Sequence, residues 1–256
     1  MNRDGANESI WQHKTGNYQL MSDENATNKV FDVLIIGGSI TGISTALLLQ
    51  KAGKKCVLAE AVTLGFGTTG GTTAHLNDFF DTPYYKVIKD FGETNTKLLA
   101  EAAKEAMALI KIHVDEYDID CNYETQEGYL FALDEDQIKE LEEIVASAKK
   151  MGIAADFTND TPFPIPYLKI ACFREQAQLH PLKYILQLAA EFEKAGGTIL
   201  QNCRIRQLTG GDIIEAEITG GKIKAANVIY ATHIPPGVNI LHFRVHRTAA
   251  MQLQPG

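Results

Sequence analysis

Val30-Phe31-Asp32-Val33-Leu34-Ile35-Ile36-Gly37-Gly38-Ser39-Ile40-Thr41-Gly42 is the stretch that decides the fold. Its first seven residues are almost continuously apolar, the pattern of a parallel strand covered on both faces. A glycine turn follows, then an apolar segment from about Ile40 to Ala52, read as a helix stopped at Gly53. Cys56-Val57-Leu58-Ala59-Glu60 reads as the next strand, which completes a β-α-β unit. Tight turning calls for Gly37, and close packing of helix on strand calls for Gly42. Backbone N–H groups and the helix dipole at such a turn suit a diphosphate. Glu60, at the tip of the second strand, can accept hydrogen bonds from ribose hydroxyls, and its charge would repel a 2′-phosphate. Ser39 stands at the middle position of G-x-G-x-x-G, where its Cβ crowds a pyrophosphate and its hydroxyl can donate to a phosphate oxygen. The combined spacing predicts an adenine-dinucleotide site over a purely structural β-α-β unit.

Outward from this unit, residues 1–29 are polar and aperiodic with Trp11 as the one large apolar anchor. They read as a flexible arm or a segment draped over the surface. Residues 65–74 form a loop of glycine and threonine. An amphipathic helix is expected from about Thr94 to Tyr117, with Leu99, Ala103, Ala106 and Ile110 on one face. Strands are expected around Asn122–Glu124 and Gly128–Leu133. Asp134 should cap a second helix with the stripe Ile138, Leu141, Val145 and Ala148, ending at Gly152. Three prolines make 161–166 an extended loop. Lys169–Phe173 reads as a strand, and Pro181 opens a helix that ends at Gly196-Gly197. Thr198–Leu200, Ile213–Ile218 and Lys222–Ala231 are short strands separated by the glycine turns 210–211 and 220–221.

A net charge of −8 over 256 residues argues against a general nucleic-acid binder, which would carry a basic face. Met1–Glu8 is too polar and acidic for a secretory signal, and no apolar run reaches membrane-spanning length. Cys56, Cys121, Cys172 and Cys203 are scattered outside any C-x-x-C pair, so no metal site is expected. Reduced, buried thiols fit the cytoplasm.

Several of these pieces together resemble the D-amino-acid-oxidase-like superfamily of FAD-dependent oxidoreductases. They are Asp32–Gly42, Glu60, the run from Gly67 to His75, Gln178-Leu179-His180-Pro181, Gly196-Gly197-Thr198 and Val228–His233. The glycine-threonine loop and the Ala-Thr-His segment are most similar to members that carry a C-terminal Rieske iron–sulfur domain. The resemblance implies FAD as cofactor and an amine or amino-acid-like small molecule as substrate. It also implies oxygen or an iron–sulfur protein as electron acceptor. It further implies that Gly37, Gly38, Ser39, Ile40, Thr41 and Gly42 hold the diphosphate, with Glu60 and the adjoining Ala61 at the ribose. Gly67, Thr68, Thr69, Thr72, Thr73 and Ala74 would run beside the diphosphate toward the flavin ring. Ile205 would offer backbone groups to adenine, and Ala231-Thr232 would pass close to the dinucleotide. Gly71 departs from the family in size, and no Rieske cysteine-histidine spacing occurs. The family's later glycine motif at the flavin end is missing.

The fold class expected is α/β: a Rossmann-like FAD/NAD(P)-binding domain with an inserted, incomplete α+β substrate domain. Its pieces are an arm (1–29), FAD-domain parts (30–78 and 180–236), a substrate-domain part (79–179) and the start of a return into the substrate domain (237–256). No catalytic residue is assigned. His75 and His233 read first as structural groups, His180 as a helix cap, Tyr84 and Tyr85 as core or rim, and Glu140, Glu142 and Glu143 as a solvated helix face. Two rival functions remain at this stage: a truncated, flavin-poor remnant with a binding or structural role, and a nicotinamide-dependent dehydrogenase. No membrane or nucleic-acid partner is expected.

Overall fold

The structure, a computed structural model, describes residues 8–13, 15–16, 18–19, 26–162, 164–219 and 221–233. In chain order its elements are α1 (Ile10–His13), a short 3-10 turn (Ala26–Asn28), β1 (Val30–Ile36), α2 (Ile40–Lys51), β2 (Cys56–Ala59), β3 (His75–Leu76) and α3 (Tyr84–Glu116). There follow β4 (Glu124–Ala132), α4 (Glu135–Lys150), β5 (Ala155–Thr158), β6 (Lys169–Gln178), α5 (Pro181–Lys194), β7 (Thr198–Leu200), β8 (Gln207–Thr209), β9 (Ile214–Ile218) and β10 (Gly221–Tyr230). These elements form two compact units. The first contains the described residues up to Thr73, Tyr117–Cys121, and those from His180 to His233; the second contains Ala74–Glu116 and Asn122–Leu179. The expected return over 237–256, and with it the reading of a truncated chain, lies outside the described residues.

The first unit is built on a six-stranded sheet in the order β7-β2-β1-β10-β9-β8. β7, β2, β1 and β10 run parallel, while β9 and β8 add an antiparallel edge. Leu34 and Ile35 of β1 are wholly buried, as are Val57 and Leu58 of β2. Consecutive buried residues mean cover on both faces, which is why these strands read as unbroken apolar runs. The helix pair α2 and α5 packs together. Ile43, Ala46 and Leu47 of α2 and Tyr184, Ile185 and Leu188 of α5 are buried, and the Tyr184 hydroxyl bonds to Ser44. At the N-terminus of α5, His180 caps the helix: its Nδ1 accepts the Lys183 N–H at 3.3 Å. The segment around Trp11 is draped over this unit rather than free.

In the second unit β6 is central. β4 lies along one edge, and β5 and β3 follow end to end along the other, all antiparallel. β4 is one continuous strand where two were expected. Its pairing with β6 slips between Gln126 and Gly128, opposite Glu175 at φ +64°, which marks a β-bulge. Phe79 stacks on Phe173 with centroids 4.3 Å apart, over a core that holds Tyr84, Leu141, Val145 and Ala148. Asp78 and Gln176 are buried and satisfy each other twice. The Asp78 N–H donates to Gln176 Oε1 at 3.0 Å, and Gln176 Nε2 donates to Asp78 Oδ1 at 2.9 Å. Tyr84 donates to the Asp78 carbonyl, and burial beside Asp78 pushes its hydroxyl pKa up to about 12.

Further expectations need correction here. A separate helical stretch over 84–91, not expected, precedes the helix expected from about Thr94, and the two meet at a kink at Gly92, whose φ of +79° is not helical. The inward face of the longer helix carries Thr96, Ala100 and His113, whereas Leu99 is 40% exposed. A polar residue is tolerated there because the Thr96 hydroxyl donates to the Gly92 carbonyl at 2.8 Å. β6 runs on to Gln178, well past Phe173. β3, β5 and β8 escaped notice because none of them has two adjacent apolar residues, unlike the equally short β2 and β7.

The turn of the β-α-β unit has no room for side chains. A Cβ on Gly42 would lie 1.9 Å from the Gly37 carbonyl oxygen, and one on Gly37 would lie 2.4 Å from the Ala231 carbonyl oxygen. Gly53, by contrast, has a left-handed φ of +85° but open space around it. Gly42→Ala is therefore expected to lower stability by at least about 2 kcal/mol through overpacking. Gly53→Ala should cost about 1 kcal/mol, the left-handed backbone penalty alone. Urea midpoints measure both, and equal losses would contradict the steric reading.

Candidate functional site

β1, β2 and β10 bring their carboxyl ends to one place, where open parallel sheets take ligands. The Gly37 N–H donates to the Ala59 carbonyl at 2.8 Å, and the Ala231 N–H donates to the Ile36 carbonyl at 2.8 Å. Both bonds continue the ladder into the turn, so the three strand ends are locked in register. α2 starts directly above them. Ser39 is its N-cap in extended conformation and makes no side-chain capping bond. The first N–H groups of a helix have no intrahelical acceptor, so an uncapped start leaves donors for an anion.

Glu60 is half-buried and fixed. Its Oε2 accepts the Gly38 N–H at 2.7 Å, and its Oε1 accepts the Val62 N–H at 2.9 Å. Each oxygen keeps a lone pair for a further donor. The backbone of Glu60 is also held: its N–H donates to the Leu200 carbonyl and its carbonyl accepts the Cys203 N–H, both at 2.8 Å. Asn202 donates to the Val62 carbonyl at 2.7 Å, which lays the segment before Ile205 alongside Glu60, Ala61 and Val62. The Ile205 side chain is buried in the core of this unit.

The glycine-threonine loop is tied to the turn at its start, where the Gly65 N–H donates to the Gly38 carbonyl at 2.9 Å. Two tight turns follow, Gly70 N–H to the Gly67 carbonyl at 3.1 Å and Gly71 N–H to the Thr68 carbonyl at 3.2 Å. The structure thus brings together Gly37–Gly42, Glu60, Ala61, Gly65 and Ala231. The far end of the loop is held from elsewhere: the Thr72 carbonyl accepts Trp11 Nε1–H at 2.7 Å. Ala74 has a φ of +67°, unusual for a residue with a Cβ, and belongs to the second unit. His75 is exposed on β3, and His233 has a φ of +60°.

Sequence reasoning missed three contributors. Trp11, Gln201 and Tyr18 sit among hydrogen bonds that no local periodicity announces. Gln201 Oε1 accepts the Leu64 N–H at 2.8 Å, and its Nε2 donates to the Tyr18 carbonyl at 3.3 Å. All four cysteines are buried thiols outside any disulfide, and burial pushes Cys56 and Cys203 up to about 11. Among the described residues no cluster of three or more His, Cys, Asp or Glu could hold a metal ion, and no helix is long and apolar enough to cross a membrane.

The arrangement defines a class: an α/β protein with a glycine-lined crevice at the carboxyl ends of parallel strands. Residues 32–244 match the family model described as FAD dependent oxidoreductase, and the chain belongs to that family, whose cofactor is FAD. It is 35% identical over 206 residues to the Bacillus subtilis protein YhfW, named as a candidate Rieske 2Fe-2S iron-sulfur protein; the match covers 80% of this chain and 40% of that one. It is 25% identical over 206 residues to gamma-glutamylputrescine oxidoreductase of Escherichia coli, covering 78% of this chain and 48% of the relative. The fold matches the crystal structure of glycine oxidase from Geobacillus kaustophilus with a TM-score of 0.66 at 17% identity, over 79% of this chain and 55% of that one. The chain therefore spans about half the length, or less, of these curated relatives.

His180 carries a pH dependence. Burial lowers its pKa below the ordinary 6.5, the nearby Lys183 charge lowers it further, and its own backbone raises it in part. Lys183 is itself paired with Asp120 at 3.4 Å, and the Trp11 ring meets the imidazole edge-on at 5.0 Å. The unfolded chain then binds the proton more readily than the folded one. Stability from the neutral cap is complete above pH about 6.5 and is lost as pH falls from there through the folded value. Thermal melts between pH 7.5 and 5 should show this decline, and His180→Asn, a cap that does not titrate, should lessen it. An unaltered slope in the variant would exclude His180 as the source.

Proposed function

We propose that this chain carries the dinucleotide-binding part of an FAD-dependent oxidoreductase acting on an amine or amino-acid-like small molecule. The observation that carries the reading is the Glu60 carboxylate, clamped by the Gly38 and Val62 N–H groups beside an uncapped helix start. The side-chain-free positions Gly37 and Gly42 suit the diphosphate, because a Cβ at either would fill the cradle. In this reading Ser39, Ile40 and Thr41 hold the diphosphate, Glu60 and Ala61 the ribose, and Ile205 the adenine. Gly67, Thr68, Thr69, Thr72, Thr73 and Ala74 lie toward the flavin, with Ala231-Thr232 beside the dinucleotide. In this reading the first compact unit is the FAD-binding part and the second the substrate-binding part.

When bound, FAD supplies a hydride acceptor for oxidation of the substrate carbon next to nitrogen. The role of this chain is to fix the adenosine end and the diphosphate so that the ring is presented in one orientation. Opposite charges serve the two ends of that hold. The α2 dipole and N–H groups offset phosphate charge, while the Glu60 carboxylate stays one ribose away from it. The name of gamma-glutamylputrescine oxidoreductase supports an amine substrate. That of YhfW supports an iron–sulfur electron acceptor over oxygen. Buried thiols outside any disulfide agree with a cytoplasmic setting.

Titration calorimetry of the purified chain should show FAD binding and no comparable NADH binding. Tight NADH binding without FAD binding would replace this reading with the nicotinamide-dependent one. Glu60→Ala should weaken FAD binding by about 1.5–3 kcal/mol, the scale of a hydrogen bond to a charged group. An unchanged dissociation constant in a variant that still unfolds cooperatively would remove Glu60 from the site.

A further inference from the structure

Ser9, Trp11 and Gln12 lie before the stretch matched by the family model, yet they hold the loop assigned above to FAD. The Ser9 hydroxyl donates to the Gly70 carbonyl, and Trp11 Nε1–H donates to the Thr72 carbonyl at 2.7 Å. The Gln12 side-chain nitrogen lies 2.9 Å from where a Gly70 Cβ would stand, so the segment packs directly on the loop backbone. It is anchored at both ends. Trp11 rests edge-on against His180, the cap of α5. Tyr18 donates its hydroxyl to the buried Glu193 at 2.6 Å, and its carbonyl accepts from Gln201, which also holds the Leu64 N–H.

Peptide planarity converts these contacts into a direction. The carbonyl of one residue and the N–H of the next point to opposite sides of a trans peptide. With the Thr72 carbonyl held toward Trp11, the Thr73 N–H is turned away from it. Thr73 is exposed, and no hydrogen bond to its N–H is present among the described residues. The loop therefore presents an unspent donor on the face opposite the tryptophan. A lone exposed loop would sample many orientations of that peptide, and two carbonyl anchors two residues apart select one.

We propose that Ser9, Trp11, Gln12 and Tyr18 form a clasp, and that Trp11 is a positioning residue that aims the Thr73 N–H at bound FAD and thereby sets how tightly flavin is retained. This rests on the assignment of loop 65–74 to the cofactor. Trp11 does not touch the reacting atoms. It acts through the Thr72–Thr73 peptide.

The test uses the full chain and two conservative variants. Trp11→Phe keeps an aromatic ring against His180 and removes the N–H donor; Ser9→Ala removes the other anchor with little change in volume. FAD dissociation constants and release rates are measured beside the melting temperature of the flavin-free protein. Each variant should bind FAD roughly three- to tenfold more weakly, the effect of one hydrogen bond, mainly through faster release. The flavin-free melting temperature should move little. Wild-type affinity and release rate in both variants would overturn the clasp while leaving the FAD reading intact. A lowered melting temperature with unchanged FAD affinity would overturn it equally, since that is the signature of a strap that only stabilises the fold. A wild-type chain that binds no FAD would overturn both readings together.

Discussion

Three backbone segments meet at Gly37, Gly42 and Ala231 with no space for a side chain between them. The Gly42 position stands so close to the Gly37 carbonyl that even a methyl group would overlap it, and the Ala231 carbonyl closes the other side of Gly37. This contact fixes where α2 begins relative to β1 and how far β10 can extend beside it. Everything else at the crevice is referred to that point. Were the helix to stand farther off, its N-terminal N–H groups would lose their aim at the ends of β1 and β2. Were β10 to end earlier, the parallel ladder beside β1 would stop short of the turn. The fold obtains precision from the absence of atoms rather than from a strong bond.

Glu60 carries that precision one strand further. A carboxylate at a strand tip would ordinarily swing into water, but here each oxygen is engaged by a backbone N–H, from Gly38 on one side and Val62 on the other. Charge-assisted hydrogen bonds of this kind are stronger than neutral ones and directional. They join the glycine turn after β1 to the segment after β2. Through the Glu60 backbone they also join the stretch after β7. A negative group held this rigidly offers acceptors at a set distance from the helix start. In the function proposed above, this geometry would tell a ribose hydroxyl from a phosphate.

The β-α-β unit was legible in the sequence because each of its signals is local: apolar runs, a glycine turn and a terminal acid. Asp134 and Pro181 were legible for the same reason, since caps and helix starts act within one turn. What escaped reading depends on distant partners. The helical stretch 84–91, set off from the next helix by the kink at Gly92, also went unread. The inward face of α3 carries Thr96 and His113, so polarity disguises its period. Above all, Trp11 sits in a polar, aperiodic stretch, and its value comes from a carbonyl 61 residues away. No pattern within a window of a few turns can announce such a bond.

The same distant bonds explain how the first unit tolerates being interrupted. Its chain departs after Thr73, revisits at Tyr117–Cys121 and returns at His180. Each of these crossing points is fixed within the unit itself. The Thr72 carbonyl is held by Trp11, the Tyr117 hydroxyl receives Lys51 Nζ at 2.8 Å, and the Cys121 carbonyl accepts the His180 N–H at 2.6 Å. His180 also meets Trp11 through its ring and starts α5 through its cap. Two residues, Trp11 and His180, therefore connect all three crossings: one holds the departing loop, the other the short revisit and the returning helix. Insertions are accepted where the flanking backbone is already anchored. Here the anchoring belongs to the interrupted unit, so the inserted segment need not supply it.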